Sequence, residues 1–294
     1  MTVLALEIGS RSLAASQVSD DIGEEGIQRC PIPARGVWDS CRDLLLDVAG
    51  GNEITRVGIA SVGPIDMAAG VVAPSGITEW RMGFGLVKAV QKLFPNASVH
   101  LGLDGACQAV AERHFGRARG VPDALVIILS DRIGAGVLVG GLVVVGRTGN
   151  GGQLGHVLVP GFDDVCECGG RGCLEAVAGG LSMLNWARTQ GWPGKSVDDL
   201  LEAAGESDEI ALAALNRAGT ALGRAIASSA ALLDLDLVVV GGRLAKPHTA
   251  LWKALGAAVA IHARLSFLTG LRVVPSELGE IGVLAGAGAL ALLG

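Results

Sequence analysis

Two stretches of this chain open alike. Val3–Leu6 and Leu13–Val18 are apolar runs joined by Gly9-Ser10-Arg11-Ser12, and Ala124–Leu129 and Ala135–Val139 are apolar runs joined by the polar turn Ser130–Gly134. Short apolar runs bounded by Gly and Ser read as buried strands. Arg56–Ser61 is a further strand, ending at Val62-Gly63-Pro64. Ser98–Leu103 is another and runs directly into Asp104, after which Ala106–Phe115 has helical spacing. Gly140-Gly141 is a two-residue hairpin turn before Leu142–Val145. Leu235–Val240 leads through Gly241-Gly242 into a helical stretch from Leu244, and the Ala- and Leu-rich Leu212–Leu233 reads as a buried helix. Strands alternating with helices predict an α/β fold. The repeated opening predicts two lobes of duplicated architecture, similar in pattern rather than in residue identity. Gly, Arg and Pro cluster at Gly116–Pro122, which divides the chain into a smaller lobe, 1–117 plus 281–294, and a larger one, 118–280. Asp20–Glu25 is the stretch expected to lack order.

Half of the 294 residues are hydrophobic, enough for one large domain or two lobes. With 45 Gly, no Tyr and 5 Phe, the core must be built from Ala, Val, Leu and Ile. Net charge is −6 and no basic stripe is visible, so nucleic acid is not an expected partner. The N-terminus enters an apolar run broken by Glu7 and lacks the basic region of a signal peptide. The apolar tail from Ile281 is too short and Gly-rich to span a bilayer. A soluble cytoplasmic protein without a membrane partner is expected.

His156, Cys166, Cys168 and Cys173 offer one imidazole and three thiolates, a complete tetrahedral set for zinc with no position left open for catalysis. Gly169, Gly170 and Gly172 let the backbone wrap so that the sulfurs face one point. Such a site is structural, and the chemistry lies in what its loop positions. The use of cysteine in a metal cluster points to a reducing compartment, with Cys30, Cys41 and Cys107 as idle or buried thiols. Asp104, where a strand meets a helix, has two readings. It is either a helix N-cap, satisfying free backbone N–H groups, or a general base held at a strand end.

From residue 3 to 294 the chain resembles the ROK family, named for repressors, open reading frames and kinases. The resemblance rests on Gly155-His156 with its cysteine cluster, Cys173-Leu174-Glu175, Gly63-Pro64-Ile65-Asp66, Val238–Gly242 and Leu284-Ala285-Gly286-Ala287. It implies a two-lobed actin-like, ribonuclease-H-like ATPase fold of the sugar-kinase type, with the structural zinc loop in the larger lobe. It also implies phosphoryl transfer from ATP, with Mg²⁺, to a hydroxyl of a hexose or hexose derivative. Asp104 would take the proton of the attacking hydroxyl, and phosphoryl transfer needs little else from the protein beyond positioning and charge neutralisation. His156 would touch the sugar as well as zinc, and Glu175 would hold sugar hydroxyls, so that the metal fixes a sugar-binding loop. Without the resemblance, Glu175 reads as an ordinary helix-start carboxylate. A homodimer or homotetramer is expected, as is common in the family.

The chain departs from the family at both phosphate turns. Asp-Ile-Gly-Gly-Thr-Lys is replaced by Glu7-Ile8-Gly9-Ser10-Arg11-Ser12, which lengthens the carboxylate that works near Mg²⁺, while Arg11 remains able to reach a phosphate. Gly-Thr-Gly-Ile-Gly is replaced by Ser130-Asp131-Arg132-Ile133-Gly134, which removes glycines that admit phosphate close to backbone N–H groups and adds a carboxylate. Gly241 and Gly242 complete the nucleotide side. On the sugar side Leu103, Ser75 and Gln153 stand where the family has Asn, Asn and Glu. A sugar hydroxyl facing Leu103 would be unpaired, so glucose is expected to bind less well than a deoxy or N-acylated sugar. The alternative function is a catalytically impaired sugar- or metabolite-binding protein on the same scaffold. A repressor would need a DNA-binding region ahead of the first strand.

Overall fold

A computed structural model describes residues 2–18 and 26–293, so Asp20–Glu25 lies outside the described residues. Its elements in chain order are β1 (Thr2–Ile8), β2 (Ser12–Gln17), β3 (Gln28–Pro31), α1 (Val37–Ala49), β4 (Ile54–Ser61), β5 (Ile65–Asp66), β6 (Val71–Val72), α2 (Leu86–Leu93), β7 (Ser98–Leu103), α3 (Asp104–His114), β8 (Ala124–Leu129), β9 (Ile133–Val139), β10 (Leu142–Val143), α4 (Leu174–Ala178), α5 (Gly180–Thr189), α6 (Val197–Gly205), α7 (Glu209–Leu233), β11 (Leu237–Gly241), α8 (Ala250–His262), β12 (Arg272–Pro275) and α9 (Gly282–Leu293).

The described residues of Met1–Arg119, Leu142–Gly152 and Leu278–Gly294 form one compact unit. Its sheet runs β3-β2-β1-β4-β7. β1 and β2 are an antiparallel hairpin closing at Ile8↔Leu13, and β4 lies parallel to both β1 and β7. β4 is buried at most of its positions, as expected of a strand in the middle of a covered sheet. The apolar tail is helix α9, which packs on β1, β4 and α3. Two glycines permit that approach. A Cβ on Gly58 of β4 would lie 1.9 Å from the Ala287 carbonyl oxygen, and one on Gly286 would lie 1.8 Å from that of Cys107. Among the described residues no helix is long and apolar enough to cross a membrane.

The sequence division places Leu142–Gly152 in the second lobe, but these residues belong with the first unit. The reason is local hydrogen bonding. Asn150 holds the backbone of Ile65 in both directions, accepting its N–H at 2.9 Å and donating to its carbonyl at 2.7 Å, and the Met67 N–H donates to Thr148 at 3.0 Å.

Gly120–Gly141 and Gln153–Glu277 form the second unit, in which β9, β8, β11 and β12 lie side by side. β8 is antiparallel to β9 and parallel to β11, which is parallel to β12. The long helix α7 starts at Asp208, whose side chain accepts the Ala211 N–H at 2.8 Å, and packs on α8. Gly219 and Gly223, one turn apart, let α8 approach the α7 backbone: an added Cβ would meet Leu251 O at 2.2 Å or Ala258 Cβ and Leu255 O at 2.6 Å. The helix expected from Leu244 begins only at Ala250. Pro247 resists a helix running through it, and Thr249 supplies the cap by accepting the Trp252 N–H.

Candidate active site and metal centre

In the first unit the β1–β2 turn is tight. The Gly9 N–H donates to Ser12 O at 3.0 Å, and a Cβ on Gly9 would lie 2.9 Å from that same oxygen. Ser10 and Arg11 form the bend, and Ser12 opens β2. Glu7, near the end of β1, is half-buried, and its Oε2 is buried with no hydrogen-bond partner. Burial pushes its carboxyl up to about 7; Arg29 pulls it down, while Asp104 and Glu280 add to the rise.

Asp104 is the first residue of α3, directly after β7. The N-cap is Leu103, in extended conformation, and the Asp104 Oδ1 accepts the adjacent Gly105 N–H at 2.7 Å rather than capping the helix. Burial raises its carboxyl to about 6 against the lowering effect of the Gly105 N–H. Leu103 itself is 2 % exposed and belongs to the apolar core of this unit. The expectation that Leu103 faces a sugar hydroxyl is therefore corrected: at the last position of β7, paired with Ser61 of β4, its side chain packs into the core. The ranking of deoxy sugars over glucose loses its basis. Ser75 is exposed, in a turn after β6 that closes with the Ile77 N–H on Pro74 O at 3.0 Å.

In the second unit the turn between β8 and β9 carries Asp131 and Arg132. Gly134 of β9 and Gly241 at the end of β11 both pair with Ile128. Gly242 has φ +89°, and a Cβ there would lie 2.6 Å from Leu129 O, so only glycine fits. Asp131 pairs with Arg243 at 2.6 Å, and Arg132 with Glu167 at 2.7 Å. Neither partner was visible in the sequence. Glu175, in the first turn of α4, is buried, and its Oε2 accepts the Ile133 N–H at 2.7 Å. Burial raises its carboxyl to about 7, against the pull of the Ile133 N–H and Arg132.

Gln153 precedes a 3₁₀ turn over Leu154–His156, in which its carbonyl accepts the His156 N–H at 3.1 Å. His156, Cys166, Cys168 and Cys173 come together with their ligand atoms all within 4.8 Å of one another. His156 Nδ1 lies 3.7 Å from Cys166 Sγ, and Cys168 Sγ lies 3.8 Å from Cys173 Sγ. A tetrahedral zinc with Zn–S near 2.3 Å and Zn–N near 2.0 Å would set such separations at about 3.5–3.8 Å, so the donor set fits zinc and these two separations match such a site. The loop is shaped by Gly169 and Gly172, at φ +90° and +74°, and by paired backbone bonds between Cys166 and Gly170 and from Gly169 to Cys166. α7 grips the outer part of the loop. Arg217 pairs with Asp164 and lies over the Phe162 ring, and Arg224 donates to Pro160 O at 2.7 Å.

The chain is 29% identical to the glucokinase of Thermotoga maritima over 99% of its own length and 97% of that protein's. It is 32% identical to the N-acetylmannosamine kinase of Escherichia coli O9:H4 over 82% of this chain and 83% of that one. The solved ROK hexokinase of Thermus thermophilus superposes with a TM-score of 0.80 at 27% identity, covering 100% of this chain and 98% of that one. The fold is the α/β, actin-like ATPase type of ROK sugar kinases. A profile of the ROK family matches residues 4–293, and the chain belongs to that family.

Proposed function

We propose that the chain is a sugar kinase that transfers the γ-phosphoryl group of ATP to a hydroxyl of a hexose or hexose derivative. The observation that carries this is Asp104. Its carboxyl is fixed at the β7–α3 junction by the Gly105 N–H and raised by burial to about 6, which leaves it mostly ionised yet basic near neutral pH. As the sugar oxygen forms its bond to phosphorus and the bond to the ADP oxygen breaks, Asp104 takes the hydroxyl proton. The relatives named above catalyse reactions of this kind, so glucose and N-acetylmannosamine are the first acceptors to test.

Zinc is the ion we assign to His156, Cys166, Cys168 and Cys173, where it would cross-link the loop and hold His156 in place. We assign sugar contacts to His156, Gln153, Glu175 and Ser75. Glu7 fits a role toward Mg²⁺, because its buried Oε2 has no protein partner; when bound, that ion neutralises charge on the phosphates. Glu7, Gly9, Ser10, Arg11 and Ser12 would serve one phosphate turn. Asp131, Arg132, Gly134, Gly241 and Gly242 would serve the other.

A second reading, a sugar-binding protein without turnover, is favoured by the Asp131–Arg243 pair, which places an internal ion pair at the second phosphate turn. Purified protein incubated with ATP·Mg²⁺ and a hexose panel decides between them. Sugar phosphate is the expected product. Sugar binding without product from any acceptor would overturn the kinase and leave the second reading.

A further inference from the structure

Several bonds within its own unit fasten the second phosphate turn. The carbonyls of Ser130 and Asp131 accept the N–H groups of Gly180 and Leu181 at the start of α5, at 3.0 and 3.2 Å. Arg132 is tied to Glu167, between two metal-ligand cysteines. Arg243, immediately after Gly241-Gly242, is held at three points. Its backbone N–H donates to Ser130 Oγ at 3.2 Å, its Nη2 to Asp131 Oδ1 at 2.6 Å, and its Nη1 pairs with Asp198 at the start of α6. The two carboxylates differ in setting: the Asp131 side chain is 5 % exposed and that of Asp198 is 64 % exposed.

We propose that Arg243 is the residue that sets affinity for the phosphate donor, and that Asp131 holds it in reserve. The proposal rests on the sugar-kinase reading, because it takes this turn as the donor side. A guanidinium fork binds a carboxylate or a phosphate with the same two-pronged geometry. A donor phosphate arriving at the turn therefore competes with Asp131 for the Nη2 edge of Arg243. If the phosphate wins, Asp131 is left buried and without that partner, which is unfavourable. If Asp131 keeps the arginine, its own charge opposes the phosphate. Either way the carboxylate lowers donor affinity. The contact to Asp198 and the bond to Ser130 Oγ keep Arg243 in place when Asp131 is neutralised.

Two variants should move donor binding in opposite directions. Asp131→Asn preserves shape and frees the Nη2 edge, so calorimetry should show ATP·Mg²⁺ binding tighter by at least about tenfold, the order expected for removing one opposing charge. Arg243→Gln leaves the Asp131 charge in place and should weaken binding by a similar factor. Adenosine, which lacks phosphate, should bind both variants as it binds the wild type. Unchanged or weaker ATP binding by a folded Asp131→Asn protein overturns the proposal, as does absence of nucleotide binding in both proteins or an equal gain for adenosine. If Asp131→Asn does not fold, Asp131→Gly is read in the same way. Failure of the kinase reading is separate, since it would leave the change in ATP affinity standing with no sugar phosphate formed by any of these proteins.

Discussion

The backbone N–H of Ile133 donates to Glu175 Oε2 at 2.7 Å, which fastens the start of β9 to α4, the helix that begins just after Cys173. Two glycines leave room for the carboxyl: a Cβ on Gly179 would lie 2.6 Å from Oε1, and one on Gly155 would lie 3.3 Å from Oε2. Glu175→Gln keeps an acceptor for Ile133 and should change stability little. Glu175→Ala strands a buried N–H and should destabilise by about 1–3 kcal/mol. Chemical denaturation of the two variants measures the difference.

The metal centre predicts one zinc per chain. Elemental analysis should find it, and Cys166→Ser should lose the metal and lower the melting temperature. Because Arg217 and Arg224 hold the outer loop from α7, metal removal should loosen Val165–Cys173 in hydrogen exchange more than Pro160–Asp164. Equal loosening of both segments would show that the α7 contacts do not hold the loop.

If Asp104 is the proton acceptor proposed above, Asp104→Asn should reduce turnover by at least about 10²-fold with sugar binding retained. Asn would serve about as well as Asp if the side chain were only a cap, and wild-type turnover in the variant would remove the general-base role.

Acid should act on turnover and stability with opposite signs. Asp104 accepts a proton only when ionised, so kcat/KM should fall as pH falls through about 6. For stability, the Asp104 carboxyl is raised from 3.8 to about 6, and that of Glu7 from 4.5 to about 7. A carboxyl raised in the folded state binds protons more tightly there than in the unfolded chain. Its stabilising contribution is complete below the unfolded value and is lost as pH rises through the folded one. Asp104→Asn and Glu7→Gln should each flatten the decline in stability between about pH 4 and 7. A decline as steep in both variants as in the wild type would refute the assignment.

Gly58→Ala and Gly286→Ala each put a methyl group within 2 Å of a backbone oxygen. Each should destabilise by about 1–3 kcal/mol, as α9 is forced off β4 by the first and off α3 by the second. By contrast, Gly256→Ala on α8, where an added Cβ meets nothing within 4 Å, should be neutral or mildly stabilising.

Two strands have the bounds read from sequence: Ala124–Leu129, which is uniformly apolar, and Ser98–Leu103, whose end is marked by the start of the helical pattern at Asp104. The cluster of His156 with the three cysteines was legible because its members lie close in sequence. What could not be read depends on distant partners. Arg243 is 112 residues from Asp131, and no local pattern joins them. Asn150 draws its segment into the first unit through the Ile65 backbone, which carries no side-chain signature. Leu103 was assigned to a ligand from the residue it replaces, whereas its side chain at the end of β7 packs into the core of the first unit.

The placement of α9 on β1 and β4 has a consequence for biosynthesis. Residues 282–293 are translated after the whole of the second unit, so a growing chain holds all the strands of the first sheet before the helix that covers them exists. Until residues 282–293 are available, the apolar surface of β1 and β4 that they cover is open to chaperones, and a stop upstream of Gly282 would leave it permanently uncovered.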